Sequence, residues 1–198
     1  MTTEPTPAVT PALGNKSFAK GSCVADDPLA SEDSAFLAVV PCTDPAAFAK
    51  VLEREAFDAT KASKCPKEAA KADKLVQLSR PGQGKDAGQV QYAPVCLRNL
   101  RAPHPGDPGQ GGGPNIVKGD CLVEKRSYRL PTTGSGTSTF ETACAGTGAD
   151  APGYRVIALG TATILRGDKG IPCPRTTQVE FRTEDEAFMG TIYCAVRL

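Results

Sequence analysis

The sequence predicts a β-dominated α+β fold, divided between two tandem, small, disulfide-stapled domains with antiparallel sheets and one short helix each at most. Three observations predict it. The chain writes nearly the same five residues twice, KGSCV from position 20 and KGDCL from position 118. Its eight cysteines fall four and four at matching places. Its apolar residues come in short runs, rich in β-branched and aromatic side chains and bounded by Gly, Pro, Asp and Asn, which is the pattern of strands and turns.

The repeat is set by the outer cysteines. Cys23 and Cys121 lie 98 residues apart, and so do Cys96 and Cys194. The third cysteine of each half precedes proline (Cys65-Pro66, Cys173-Pro174), and the fourth sits in an apolar run. An aromatic residue opens the apolar stretch after each second cysteine, Phe48 in one half and Tyr154 in the other. This period is too long for a solenoid repeat, so two tandem globular modules are expected. Residues 1 to 16 read as a Thr/Pro/Ala-rich tail, 17 to 100 as the first module, 101 to 115 as a Pro/Gly linker and 116 to 198 as the second module.

Even cysteine numbers imply a disulfide framework, and confining pairs to each half reduces about 105 connectivities to about nine. The favoured pairs are Cys23–Cys42, Cys65–Cys96, Cys121–Cys144 and Cys173–Cys194. In this arrangement the third cysteine ends a strand or opens a helix and the fourth lies on the last strand, so their bridge staples a sheet edge. Each bridge contributes roughly 3–4 kcal/mol by restricting the unfolded chain. No two cysteines lie closer than 19 residues, which argues against zinc and against a Cys-x-x-Cys redox site. No metal ligand set and no cofactor are expected.

In chain order, strands are predicted over 21–24, 35–42, 48–57 and 89–99, then 118–123, 138–144, 154–165, 177–182 and 190–197. TTQVEFR alternates as a half-buried strand should. One helix is predicted in PKEAAKADKLVQL, where Pro66 suits the first turn and Ala and Lys propagate well. RTTQ stands at that place in the second half, so a helix there is short or absent. The linker, with four prolines and five glycines in fifteen residues, carries neither helix nor inner strand and reads as a flexible coil.

Composition bounds the function. The 198 residues have 6% aromatics and no tryptophan, so two modest cores need staples. Persistent disulfides imply an oxidising compartment. The opening residues lack the charged and apolar regions of a signal peptide, and no run of about 18 apolar residues is present. The expectation is an exported or cell-surface ectodomain whose signal or anchor lies outside this chain. A net charge of +1 argues against nucleic acid.

Candidate surfaces are few. On the predicted helix, Lys67, Lys71 and Lys74 share one face, a basic stripe suited to an anionic polymer or headgroups and equally to plain solvation. Lys125, Arg126, Tyr128 and Arg129 form a second basic cluster in the loop between the first two cysteines of the second module, suited to protein recognition. Two turn-rich loops, 81–88 and 131–139, suit a protease inhibitor. Glu184, Asp185 and Glu186 make a charged turn without EF-hand spacing. The single histidine, His104, lies in the linker, which is expected to be too loose for a catalytic triad. Nothing picks out one carboxylate pair for glycoside chemistry.

The order Gly119-Asp120-Cys121, Cys144, Tyr154, Cys173-Pro174, Cys194, with its first-half counterpart Gly21-Ser22-Cys23, Cys42, Phe48, Cys65-Pro66 and Cys96-Leu97, resembles the actinobacterial LppU-like extracytoplasmic lipoprotein family. The resemblance spans most of the chain in two copies. It implies export, membrane anchoring and no catalytic residues. Ser22 departs from the aspartate of the pattern, and no lipid-attachment cysteine stands at the start. The functional expectation is a non-enzymatic binding or scaffold protein of the cell surface, whose partner is another surface or secreted protein or an anionic envelope polymer. A secreted protease inhibitor and a cell-wall carbohydrate-active enzyme are the alternatives.

Overall fold

The computed structural model describes residues 18–26, 37–60, 62, 64–82, 84–128, 135–163, 170–182 and 189–198. These residues form two five-stranded antiparallel sheets with almost no helix. The first half holds β1 (Cys23–Asp26), β2 (Leu37–Val40), β3 (Ala49–Arg54), β4 (Lys74–Pro81) and β5 (Val90–Asn99). The second holds β6 (Cys121–Tyr128), β7 (Ser135–Thr142), β8 (Tyr154–Thr163), β9 (Val179–Arg182) and β10 (Met189–Arg197). The sheet orders are β2-β1-β3-β5-β4 and β7-β6-β8-β10-β9, the same topology written twice.

The likeness reaches single hydrogen bonds. The N–H of Gly21 donates to the Val51 carbonyl and that of Gly119 to the Val156 carbonyl, both at 2.8 Å. The last leucines correspond too, with Leu100 N–H on Phe48 O and Leu198 N–H on Gly153 O. This pairing corrects one sequence match. Tyr154 lies opposite Leu122 as Ala49 lies opposite Val24, so Tyr154 corresponds to Ala49 and Phe48 to Gly153.

The four bridges are Cys23–Cys42, Cys65–Cys96, Cys121–Cys144 and Cys173–Cys194, with no free cysteine. The first of each half ties the first strand beyond the end of the second. The other ties the segment entering the edge strand to its inner neighbour, β5 or β10.

The helix expected in PKEAAKADKLVQL is absent. Lys67–Ala69 makes one 3₁₀ turn and the rest enters β4, which pairs with β5 over eight residues. Long-range bonds override helix propensity here. Cys65 is tied to Cys96 on β5, and the Asp73 N–H donates to Leu97 O at 2.7 Å, so the chain is laid on the sheet before a second helical turn could form. Ala69 and Ala72, good helix formers by composition, are instead small residues buried with Cys65 and Cys96.

Each half has its own core. Val24, Leu37, Ala49, Val51, Val95 and Leu97 pack with Phe18 in the first, and Leu122, Val156 and Tyr193 in the second. In the second half Tyr154 meets Phe181 edge-on, ring centres 4.9 Å apart. Pro94 is tolerated in the central strand β5 because its missing N–H faces the end of the β3 ladder, where only its carbonyl is used, by the Glu55 N–H.

Candidate functional site

The residues with the densest polar contacts lie on the linker, which is no loose coil. Residues 101–115 contain only turns, yet they are held at both ends and in the middle by side chains of both halves.

Asp73 is the hub on the first half. It is buried, with 1% of its side chain exposed. Oδ1 accepts the Gly106 N–H at 2.8 Å and the Arg98 guanidinium at 3.2 Å. Oδ2 accepts the Asn99 N–H at 2.8 Å and lies 3.2 Å from His104 Nδ1. Arg98 reaches from β5 to the Lys71 carbonyl and to Asp107, whose carboxyl it holds below the usual aspartate range. Asn99 donates from its side-chain amide to Pro103 O at 2.7 Å.

On the second half, Asp120 Oδ1 accepts the Gly109 N–H at 2.8 Å and Oδ2 the Val117 N–H at 2.6 Å. The Cys144 N–H donates to Gly109 O. Glu141, on β7 opposite Leu122, accepts the Gly112 N–H at 3.0 Å through Oε1. Burial raises the Asp120 carboxyl above its ordinary range and pushes Glu141 up to about 7.

The halves also touch across the linker. The last linker residue, Asn115, makes a two-point bond with the Cys65 backbone of the first half, at 2.9 and 3.0 Å. The Lys64 amine stands 5.9 Å from the centre of the Tyr193 ring. His104 therefore has a fixed position, contrary to the sequence expectation, because the surrounding turns are pinned by Asp73 and Asn99.

The linker glycines follow from this packing. A Cβ on Gly106 would collide with the Ala72 carbonyl oxygen, and one on Gly111 with the Ala143 amide nitrogen; Gly111 also has a φ of 70°. Gly111→Ala is expected to destabilise the linker by more than the roughly 1 kcal/mol of an ordinary strained glycine site and to raise amide exchange across 105–115. Unchanged exchange in a mass-spectrometric hydrogen-exchange experiment would mean that the linker is not packed there.

The basic residues chosen from the sequence are only partly brought together. Lys67 and Lys71 line an open hollow of about 470 Å³ with Leu52, Glu68, Ala70 and Arg98. Lys74 opens β4 instead, its amine 5.9 Å from the Phe48 ring centre, so the one-face stripe dissolves with the helix. Lys125 pairs with Asp150. Lys125, Arg126 and Tyr128 stand on strand β6 rather than in a loop, and Arg129 lies outside the described residues. Of the two loops proposed for inhibition, 81–88 closes in the 3₁₀ turn Gly84–Asp86, and 135–139 belongs to β7; 131–134 lie outside the described residues. Glu184, Asp185 and Glu186 lie outside them as well.

Sequence reasoning missed Asp73 and Glu141. A faint signal existed for Asp73. It precedes β4 where Gln178 precedes β9, and Gln178 Oε1 takes the Arg197 N–H as Asp73 takes that of Asn99.

Chemically, this arrangement is a joint. Both oxygens of Asp73 and of Asp120 are occupied by donors from the linker and its flanks. Among the described residues, no group of three or more His, Cys, Asp or Glu side chains is placed to hold a metal ion. No helix among them is long and apolar enough to cross a membrane. Comparison with protein-family models, curated proteins and solved structures finds no match. Four closed disulfides without a free thiol mark a chain that matures outside the reducing cytosol.

Proposed function

We propose that the chain is a non-enzymatic binding or scaffold protein, secreted or held at the cell surface, that presents two stapled sheets in a fixed relation to an anionic envelope polymer. The observation that carries this reading is the joint. Its buried carboxylates spend their lone pairs on N–H groups of the linker, Gly106 and Gly109, and of its flanks, Asn99 and Val117, which serves geometry rather than bond-breaking chemistry. The likeness of the cysteine frame to LppU-like lipoproteins supports export and anchoring. The open hollow lined by Lys67 and Lys71, both exposed, with Leu52, Ala70 and Glu68 beside them, supports an anionic partner.

In the 81–88 loop Gly84–Asp86 forms a 3₁₀ turn, not the extended segment that peptide recognition by strand pairing uses, and this favours binding over protease inhibition.

The test is titration of the full chain with a purified glycerol-phosphate polymer at low and physiological salt. Binding that weakens with salt and falls about tenfold in Lys67→Glu/Lys71→Glu is the expected result. Equal binding by the variant removes the hollow as the polymer's site, and no binding by either protein removes the polymer and leaves a surface protein as the partner.

A further inference from the structure

The two ends of the joint are built from different electrostatics. At the Asp73 end one carboxylate meets two basic side chains, Arg98 and His104, and two backbone N–H groups. At the other end two carboxyls, Asp120 and Glu141, meet backbone N–H groups alone. Among the described residues neither makes an ion pair. Glu141 is half-buried: Oε1 takes the Gly112 N–H, the Gly113 N–H also faces the carboxyl, and Oε2 is buried without a hydrogen-bond partner.

We propose that Glu141 is a proton-operated latch, holding the Gly109–Gly113 side of the linker on the second module when neutral and loosening it when charged. A neutral carboxyl keeps its carbonyl oxygen for Gly112 and carries no net charge toward Asp120. A carboxylate in the same place is partly stripped of water and repelled by Asp120, and opening the linker lets it hydrate.

The surrounding groups do not reverse this. Asp120, before β6, is the charged group that acts on it. Along the β6–β7 hairpin and the turn after it stand Glu124, Lys125 and Asp150, and Lys125 is already paired with Asp150. On the linker, His104 and Asp107 face Asp73 and Arg98. Lys118, near Asp120, is exposed.

The carboxyl of Glu141 is raised to about 7 in the closed state. A raised acid favours the closed state most fully below its ordinary value near 4.5, and this contribution is lost as pH rises through about 7. The latch therefore holds in mild acid and slackens above neutrality.

Hydrogen exchange of the full chain, corrected for intrinsic chemical rates, tests it at about pH 5.5 and about pH 8. Protection of amides 109–113 should fall by about tenfold or more between the two. Glu141→Gln, which keeps the acceptor and cannot ionise, should remain protected at both. Equal wild-type protection at both pH values, or an unchanged pH dependence in Glu141→Gln, overturns the proposal. If that variant does not fold, a carboxyl carbon NMR titration of the wild type decides instead. A midpoint near 7 supports the latch, and one near the ordinary glutamate value of about 4.3 overturns it.

Discussion

Replacing Asp73 by alanine is expected to cost about 3–5 kcal/mol. The substitution removes the shared acceptor of four groups at once: the N–H groups of Asn99 and Gly106, the His104 ring, and the Arg98 guanidinium, which keeps Asp107 and the Lys71 carbonyl. Two of these are backbone groups in or beside a buried region, where an unmet N–H costs about 1–3 kcal/mol by itself. Asp73→Asn should be milder, since one oxygen remains, but it loses the charge that faces Arg98. Urea unfolding of the oxidised protein measures both. If Asp73→Ala lies within about 1 kcal/mol of wild type, the aspartate is not the hub described here.

The second large effect belongs to the Cys65–Cys96 bridge. Changing both cysteines to alanine is expected to cost roughly 3–4 kcal/mol, because the bridge closes the longest loop of the four, with a sequence separation of 31. It also lies in a buried cluster with Ala69 and Ala72, so lost sulfur volume leaves a space that alanines cannot fill. The loosening should be directional. The edge strand β4 should exchange its amides faster, whereas the Cys23–Cys42 end of the sheet should keep its protection. Uniform loss across the module, seen by hydrogen exchange in native conditions, would show that the bridge supports the whole domain rather than one edge.

Much of this architecture could be read from the chain because its signals are covalent or periodic. Equal offsets between outer cysteines reveal a duplication whatever the loops do, and strands such as VEFR alternate visibly. The misread parts share one cause: their determinants are distant in sequence. Ala69 and Ala72 read as helix formers because nothing local shows that the chain after Cys65 is laid along β5 as strand β4. Glycines 106, 109 and 111 read as flexible because composition does not distinguish a residue that needs freedom from one that leaves no room for a Cβ. Asp73 belongs to no local motif, since its partners stand 25 to 33 residues further along. The basic stripe failed for the same reason as the helix that would have carried it.

The packed glycines of the linker carry a consequence for how such a chain can change over generations. Surface loops usually gain and lose residues at little cost. Here Gly106 is fitted against Ala72 and Gly111 against Ala143, so one inserted residue between them would pull one contact out of step with the other. The length of this segment is thereby held by packing at both ends, whereas the spans of the paired cysteines differ between the halves, 19 against 23 and 31 against 21 residues. The seam is a constraint of its own: neither half can be swapped, permuted or moved apart without remaking the joint.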